Sequence, residues 1–519
     1  MKCIEEITHI VDHKLLKQSF LYTFIWGFLA HGYCFVNNIA SHDALNNFYI
    51  AEKWSKGSFG RFFYPIYISI TRGRILLPWL VGIIGIFWTA LAVYLIVRIF
   101  DIQKNIIICL ISAICITNRT VYALAATYLH DFDADLFALF LSVAAVYLWK
   151  ISLDATKEHI KSWLFLGSGS IALSIMLGIY QSYISVTIVL IMMMVIQSLL
   201  KREDVVKVFF QGLRGILMLL ISAIIYLCES KLFTFLTGIN VLNNNSYNGL
   251  GNISTVLSGN FFAKIVGAYQ DFAQAFLDLT AAYSGRIYLI VHGILAILII
   301  AITLCGMNKL KWKNNVLLVL LGILMPLGMN VSYILSGEMI HDIMRYAFWM
   351  IYLFALILMM WCVNESTLGI KIKQIVELSV VLCIAIVIAG NIQTSNTIYV
   401  KKDLEYQSTL AYMTRVAEKI EEVEEYIPGE TPVYFVGQNA IGKTRAGFEK
   451  YTDITGVGAS SPITFYDTYD KYFEYVLGLE ITLSEDKSLE SDERVVEMPV
   501  FPKQGSVQMV DGTMVVKMK

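Results

Sequence analysis

Stretches of about 20 apolar residues recur along the first three quarters of the chain, and no other feature restricts its fold as strongly. A helix of that length crosses the hydrocarbon core of a bilayer. Hydrophobic residues make up 57% of the chain and charged residues only 16%, which is too apolar for a water-soluble domain. The sequence therefore predicts an α-helical polytopic membrane protein.

Eleven such stretches are predicted to be membrane spans. They lie at residues 18–37, 75–98, 105–126, 134–150, 163–181, 183–200, 208–235, 287–306, 315–335, 345–363 and 375–394. This divides the chain into a transmembrane domain, residues 1–394, and a C-terminal domain, residues 395–519. The eight cysteines have neither metal-ligand nor disulfide spacing, and we interpret them as core residues.

Positive charge in the short loops predicts the orientation. The loops on one side contain Lys2, Lys14, Lys17, Arg98, Lys104, Lys150, Lys157, Lys161, Lys201, Arg202, Lys207, Lys309, Lys311, Lys313, Lys371 and Lys373. Cytoplasmic loops carry such an excess of lysine and arginine, so this side and the N-terminus are predicted to be cytoplasmic. An odd number of spans then places residues 395–519 outside the cytoplasm.

One loop on the opposite side, residues 38–74, departs from this charge bias. Its basic residues are Lys53, Lys56, Arg61, Arg72 and Arg74. Aromatic residues alternate with charges over about 44–70, which predicts interfacial helices in the headgroup layer. An ordinary aromatic belt around a loop is the alternative. The loop also begins with His42 and Asp43, a carboxylate only a few residues beyond the first span.

Carboxylates also cluster at the junction of the third and fourth spans, where Asp131, Asp133 and Asp135 alternate with apolar residues. Carboxylates at the mouth of a span are costly unless they are solvated, paired or bound to an ion. They would also be stabilised by the dipole at a helix N-terminus. The spacing permits a divalent metal without specifying one, so no metal or other cofactor is predicted.

A third polar group, Glu338 to Arg345, lies between the ninth and tenth spans. On a helix His341 and Arg345 would share one face, where their cations suit a phosphate. An internal pair between an acid and Arg345 is the alternative. Arg119 lies at membrane depth in the third span, and an ionisable residue there suggests a functional site. Gln181 marks the outer turn between the fifth and sixth spans.

All three acidic clusters fall on the outer side of a topology that was assigned from other residues. This agreement predicts an extracytoplasmic active site.

The C-terminal domain is predicted to be a small α/β unit on the outer face. A charged helix from Lys401 to Tyr426 precedes a strand at residues 432–436, and Asp511-Gly512 predicts a hairpin turn. The segment Gly437–Thr444 matches the phosphate-loop pattern literally. We reject nucleotide binding there, because no amphipathic helix is predicted to follow Thr444 and ATP is not available outside the cytoplasm.

Several segments together resemble a known family. They are Gly57-Ser58-Phe59-Gly60-Arg61, Asp131-Phe132-Asp133-Ala134-Asp135-Leu136, Leu177-Gly178-Ile179-Tyr180-Gln181-Ser182-Tyr183, and the region from Met498-Pro499 to Asp511-Gly512. With a carboxylate after the first span, they resemble the type II glucosyltransferase family of O-antigen serotype conversion. That family is part of the GT-C class of polyprenyl-phosphate-sugar-dependent transferases. Its first loop often has two adjacent acids, whereas here His42 precedes Asp43, so a two-carboxylate role does not carry over.

The resemblance implies a GT-C-like helical membrane domain in a bacterial plasma (inner) membrane. It also implies a lipid-linked sugar donor, with glucose the expected sugar, an acceptor glycan on the outer face, and inversion at the anomeric carbon. A lipid flippase and a polyprenyl-phosphate sugar synthase are expected in the same pathway. The net charge of −1 argues against nucleic acid as a partner.

Residue roles follow from this chemistry. Asp43 is the predicted general base that takes the proton of the attacking hydroxyl. Cations must stabilise the leaving phosphate, and Asp131 and Asp133 would bind acceptor hydroxyls or orient those cations. The other predicted substrate-binding residues are His42, Arg61, Arg72, Arg74, Arg119, Gln181, His341 and Arg345.

Two other functions were weighed. A glycan polymerase or ligase using a lipid-linked oligosaccharide usually has a large outer loop with arginines, but loop 237–285 is rich in Asn and Gly and nearly lacks arginine. A multi-pass transporter would be expected to have matched half-repeats and ionisable groups near mid-membrane. No clear repeat is present in the sequence.

Overall fold

The structure is a computed structural model. It describes residues 12–37, 39, 45, 54, 56–73, 75–155, 158–241, 261–277, 285–336, 340–437, 448, 463 and 466–519. Three residues with predicted roles, His42, Asp43 and Arg74, lie outside this part of the chain, as does most of the glycine-rich segment after Gly437.

Eleven helices in the described residues are long and apolar enough to cross a membrane. They are His13–Val36, Pro78–Ile99, Asn105–Thr127, Leu129–Asp154, His159–Leu177, Gln181–Leu200, Val205–Thr237, Gly285–Met307, Trp312–Met329, Tyr346–Glu365 and Ile370–Glu421. We refer to them as the first to eleventh spans. Each overlaps one of the predicted spans, so the predicted polytopic helical fold is confirmed.

The third and tenth spans form the centre of the bundle, since 83% of the most apolar window of each is buried. The eighth span lies at the periphery, with only 17% of its window buried. The fourth span packs between the second and fifth. Close approach of the second and fourth spans depends on Gly85, because a Cβ there would lie 2.6 Å from the ring of Phe132.

The third span is interrupted at Asn118, between helical segments Asn105–Thr117 and Arg119–Thr127. The Asn118 side chain accepts a hydrogen bond from the Val121 amide at 3.3 Å. Its amide group donates to the carbonyls of Ile114 and Cys115. Asparagine is a favoured N-cap because its side chain satisfies backbone groups that a helix end leaves free. The interruption therefore places Arg119 at the start of a new helical segment.

The eleventh span is much longer than expected. It continues without a break from Ile370 to Glu421, and its 52 residues extend roughly 78 Å. The predicted span 375–394 and the predicted charged helix starting at Lys401 are thus parts of one helix. This helix links the membrane bundle to the C-terminal unit.

The C-terminal unit contains a four-stranded sheet with the order β2-β1-β4-β3. The strands are β1 Pro432–Val436, β2 Thr482–Leu483, β3 Val507–Val510 and β4 Thr513–Lys517. Strand β1 runs parallel to β2 and β4, whereas β3 and β4 form an antiparallel hairpin. Asp511 and Gly512 both have positive φ at its turn, which confirms the predicted hairpin.

The sheet packs against the C-terminal end of the eleventh span. Met413 and Val416 of that helix share a hydrophobic core with Phe435 of β1. Leu45, from the loop after the first span, is buried in the same core and is 3% exposed. The first outer loop therefore contacts the C-terminal unit.

Helices outside the spans include two that contribute to the candidate site. Tyr64–Thr71 falls within the region predicted to be interfacial. Phe261–Leu277 lies in loop 237–285, where the sequence analysis predicted no helix. We call it the loop helix.

Candidate active site

The first outer loop is held against the turn between the fifth and sixth spans. Gln181 donates to the Phe59 carbonyl at 3.2 Å, and the Tyr226 hydroxyl donates to the Gly60 carbonyl at 3.1 Å. Gly60 has a φ of +78°, and a Cβ there would lie 2.9 Å from the Gln181 amide nitrogen. Only glycine satisfies both the backbone conformation and the close contact. The turn that it allows positions Arg61.

The fourth span presents its acidic residues on two faces. Asp131 and Asp135 are four residues apart and share one helical face, whereas Asp133 points to another. The ammonium of Lys56 donates to both oxygens of Asp131. The guanidinium of Arg72 donates to both oxygens of Asp133, at 3.2 and 3.3 Å. Lys56 and Arg72 are therefore each paired with a different carboxylate.

Helix Tyr64–Thr71 is fastened to the start of the fourth span by further hydrogen bonds. The Tyr64 hydroxyl donates to the His130 carbonyl at 3.2 Å, and the Tyr67 hydroxyl donates to the Asp133 carbonyl at 3.3 Å. Arg72 also donates to the His130 carbonyl. These contacts explain why charged residues of this loop are buried rather than solvated.

Arg61 has a different environment from Lys56 and Arg72. Its guanidinium lies 4.3 Å from the centre of the Tyr180 ring, a cation–π contact. Among the residues that the structure describes, it forms no direct ion pair with a carboxylate. Its hydrogen-bond donors are therefore available to a ligand. We call Lys56, Arg61, Arg72, Asp131, Asp133 and Asp135, with Tyr180 and Gln181, the Asp131 cluster.

Burial and charge act in opposition on the pKa values of Lys56 and Arg61. Burial lowers the pKa of Lys56, and the attraction of the Asp131 carboxylate offsets that shift only in part. Burial also works to lower the pKa of Arg61, but Tyr180 and the carboxylates of Asp135 and Asp131 outweigh it, so the pKa is raised. Arg61 therefore keeps its charge, while Lys56 is the cation that loses its proton more readily than an ordinary lysine.

A second cluster joins the third and tenth spans to the loop helix. Arg119 donates to Asp342 at 3.1 Å, and Arg345 donates to the same carboxylate at 3.1 Å. Arg345 also donates to Asp271 of the loop helix, and Asn330 donates to Asp271 at 2.9 Å. Two guanidinium groups are thus matched by two carboxylates. We call this group the Asp342 cluster.

In the Asp342 cluster the acids pair with the arginines. This is the alternative that the sequence analysis gave for the segment Glu338 to Arg345. Residues Asp342–Met344 form a 3-10 turn and not an α-helix, so the predicted shared face of His341 and Arg345 is not formed. His341 is partly buried beside this turn. A cavity of about 30 Å³ adjoins Arg119 between aromatic side chains, which is room for about one water molecule.

A row of tyrosine rings connects the two clusters. The Tyr180 and Tyr183 rings are 5.8 Å apart, and the Tyr183 and Tyr346 rings are 5.5 Å apart. Tyr180 contacts Arg61 of the first cluster, and Tyr346 follows Arg345 of the second. The clusters are therefore neighbours within the same half of the bundle.

Comparison with known proteins can now be set beside this geometry. The family model described as "Glucosyl transferase GtrII" matches residues 32–360, which is most of the 519-residue chain. The chain belongs to this family. The resemblance inferred from the sequence is thereby confirmed. No curated protein and no solved structure matches the chain.

As a member of the glucosyl transferase GtrII family, the protein is a membrane glucosyltransferase, which takes a sugar from a donor and passes it to a glycan acceptor. The matched residues contain both polar clusters and end within the tenth span. The C-terminal unit lies beyond them.

The predicted site residues of this GtrII-family enzyme fall into two groups. The Asp131 cluster brings together Arg61, Arg72, Asp131, Asp133 and Gln181. The Asp342 cluster contains Arg119 and Arg345, with His341 beside it. Sequence reasoning selected these residues but could not separate them into two sites.

Sequence reasoning also missed three residues of these clusters as site residues. Asp135 was noted among the three carboxylates, and Lys56 among the loop cations, but neither was assigned a role. Asp271 was missed entirely, because no helix was predicted in loop 237–285. The apolar periodicity of residues 261–277 is the signal that would have revealed the loop helix and its one buried acid. Within the described ranges, no group of three metal-ligating side chains is present.

Proposed function

We propose that this glucosyltransferase moves glucose from a polyprenyl-phosphate donor to a cell-surface glycan. The reaction takes place at the extracytoplasmic face of a bacterial plasma membrane, with the C-terminal unit on that side. The basic loops on the opposite face support this orientation. One observation carries the proposal, namely a guanidinium, Arg61, that stacks on Tyr180 at the membrane boundary without a direct carboxylate partner among the described residues.

A phosphate group suits Arg61 for electrostatic and geometric reasons. Guanidinium donors fork onto two oxygens of a phosphate, and such charge-assisted hydrogen bonds are stronger than neutral ones. Lys56 and Arg72 lie in the same cluster and add positive potential, although each is already paired with a carboxylate. His42 and Arg74 are proposed to assist from the same loop. Arg119, His341 and Arg345 are proposed to contribute from the neighbouring cluster.

The proposed reaction is a single displacement at the anomeric carbon. Asp43 takes the proton from the attacking acceptor hydroxyl as the new glycosidic bond forms. The bond between the anomeric carbon and the phosphate oxygen breaks, and polyprenyl phosphate leaves with its charge stabilised by the cations. Because attack and departure occur on opposite faces, the configuration inverts. Asp131 and Asp133 keep the cations in place, and Gln181 fixes the loop that carries Arg61.

The position of the first outer loop supports a role for Asp43. Leu45 follows Asp43 by two residues in the sequence and is buried in the core of the C-terminal unit. The loop is thereby anchored to the C-terminal part of the eleventh span. This attachment keeps Asp43 near the C-terminal unit, on the side from which a glycan outside the bilayer would approach.

Reconstitution in lipid nanodiscs tests the proposal. Purified protein is supplied with an acceptor glycan and either polyprenyl-phosphate-glucose, a nucleotide-activated glucose or a lipid-linked oligosaccharide. We expect glucose transfer from the first donor alone, with inverted configuration in the product. Transfer from the nucleotide sugar with none from the lipid donor would refute the donor assignment, and transfer of a whole oligosaccharide would favour a polymerase or ligase.

A further inference from the structure

Asp135 is the one carboxylate of the Asp131 cluster without a cation of its own. It is 4% exposed, and among the residues described by the structure it forms no hydrogen bond or ion pair through its side chain. Asp131 is held by Lys56, and Asp133 by Arg72. The three acids of this segment thus differ in what they contact, although the sequence gives no reason to separate them.

The surroundings of Asp135 show where its carboxylate is directed. It shares a face of the fourth span with Asp131 and lies about 6 Å further along the helix, one turn deeper in the bundle. The charges of Arg61, Lys56, Asp131 and Asp133 all act on its carboxylate. Tyr180 and Tyr183 also lie within its electrostatic reach. Its carboxylate therefore lies close enough to interact with the guanidinium of Arg61, which has no ion-pair partner among the described residues.

An unpartnered carboxylate inside a membrane protein carries a large desolvation cost. Most buried polar groups have a hydrogen-bond partner, and those without one often belong to functional sites. Such a group is retained where a ligand completes its hydrogen bonds. Arg61 has the complementary deficiency, because it is a partly buried cation whose hydrogen-bond donors are available. A ligand that offers hydroxyl donors next to an anionic group would satisfy both residues at once.

A sugar phosphate has this arrangement of groups. We propose that Asp135 accepts hydrogen bonds from hydroxyl groups of the transferred sugar while Arg61 binds the adjacent phosphate. The proposal rests on the proposed function and adds a substrate-binding residue to it. A carboxylate repels phosphate but is a strong acceptor for hydroxyl donors. Asp135 therefore contacts the sugar and not the leaving group.

The same geometry separates Asp135 from the general base. In a single displacement the attacking hydroxyl approaches the anomeric carbon from the face opposite the leaving phosphate. Asp135 shares its space with Arg61, the phosphate-binding cation, so it lies on the leaving-group side. It recognises the donor sugar, and the proton transfer belongs to another carboxylate.

The experiment compares wild-type protein with Asp135→Asn and Asp135→Ala, using polyprenyl-phosphate-glucose and the four donors that each lack one ring or exocyclic hydroxyl. A hydrogen bond to a charged group corresponds to a loss of about 10- to 100-fold. We expect kcat/KM for the glucose donor to fall by that factor in Asp135→Ala, mainly through a higher donor KM. For at least one deoxy donor, wild type and variant should have equal kcat/KM, because the hydroxyl that contacts Asp135 is already absent.

Asp154→Asn is the matched control, because Asp154 is an exposed acid at the opposite end of the same helix. It should leave every donor unaffected. Asparagine has nearly the same shape as aspartate, so Asp135→Asn is expected to fold even if Asp135→Ala does not. Monodispersity in detergent is measured for each protein.

Unchanged kcat/KM in both Asp135 variants would overturn the proposal. Equal losses with all five donors would also overturn it, since they indicate a structural role. A fall in kcat with unchanged donor KM, together with loss of the acidic limb of the pH profile, would assign Asp135 as the base instead. If wild type does not use the polyprenyl donor, the proposed function fails. The deoxy comparison is then run on the glucose donor that wild type does use, and it tests Asp135 by the same criteria.

Discussion

Arg72 and Asp133 form an ion pair with a nitrogen–oxygen distance of 3.2 Å, and their side chains are only 2% and 0% exposed. The pair joins the loop after the first span to the start of the fourth span. Because both side chains are buried, water cannot take the place of either partner. The pair therefore holds the loop against the fourth span. The position of Arg61, eleven residues earlier in that loop, depends on the same attachment.

Removal of one partner of this pair should destabilise the protein strongly. We expect Arg72→Gln to lower the free energy of unfolding by about 3–5 kcal/mol, since a buried carboxylate is left without its cation. The double variant Arg72→Gln with Asp133→Asn should recover part of that loss, because both charges are gone. Thermal unfolding of the purified protein in detergent measures both. A double variant less stable than the single one would contradict this account.

The loop helix should depend on Asp271 for its attachment. Asp271→Asn removes the charge that Arg345 and Asn330 contact, so we expect faster hydrogen exchange of the amides in Phe261–Leu277. Gln270→Ala, at the exposed neighbouring position of the same helix, is the control and should leave exchange unchanged. Equal exchange in wild type and Asp271→Asn would show that apolar contacts alone hold the helix.

Asp43→Asn should abolish transfer while expression and donor binding persist. A general base contributes about 10²- to 10⁴-fold to the rate, and asparagine keeps the shape of the side chain but cannot take the proton. Initial rates with saturating lipid donor measure the effect on kcat, and Asp154→Asn again serves as the unaffected control. Near-normal turnover would remove Asp43 as the base.

The shifted pKa of Lys56 predicts an alkaline limb in donor binding. Burial lowers this pKa, so Lys56 loses its charge at a lower pH than an ordinary lysine as the pH rises. The donor KM should therefore rise with pH below the usual lysine range. Lys56→Arg should shift the limb to higher pH, because a guanidinium stays protonated. The donor KM measured across an alkaline series for both proteins checks the sign, and a limb that does not move in Lys56→Arg would exclude Lys56 as its source.

The proposed orientation can be tested by labelling. A cysteine at Ser488, which is exposed in the C-terminal unit, should react with a membrane-impermeant maleimide in spheroplasts. A cysteine at Lys161, which is exposed in the first turn of the fifth span, should react only after permeabilisation. The reverse pattern would invert the topology and reopen nucleotide binding by the glycine-rich segment after β1.

Much of the fold could be predicted from the sequence because its determinants are local. Hydrophobic runs of fixed length define the eleven spans whatever their neighbours are. The Asp511-Gly512 turn follows from the two residues that adopt positive φ. The end of the eleventh span was missed for a related reason. Polar composition after residue 394 signals the membrane boundary, but it does not end a helix that has no proline or capping residue there.

The membership of the candidate site could be predicted only in part. Chemical type and predicted location placed Arg61, Arg72, Asp131, Asp133 and Gln181 in the predicted site, and the structure brings these five residues together. Their partners could not be predicted, because Arg72 and Asp133 are 61 residues apart and Arg119 and Asp342 are 223 apart. Which charges meet depends on how the spans pack around one another, and no periodicity in the chain encodes it.

The sequence by itself determined that this protein is a helical membrane glucosyltransferase with charged groups concentrated at one membrane face, since hydropathy, charge bias and short motifs are properties of the linear chain. Only the tertiary structure decided which of those charges neutralise each other. Packing of the fourth span against the loop after the first span places Lys56 and Arg72 in ion pairs. Arg61 and Asp135 lie near each other and have no direct partners among the described residues. The physical reason is that ion pairing in a buried site acts over a few ångströms, and such distances exist only after the spans have assembled.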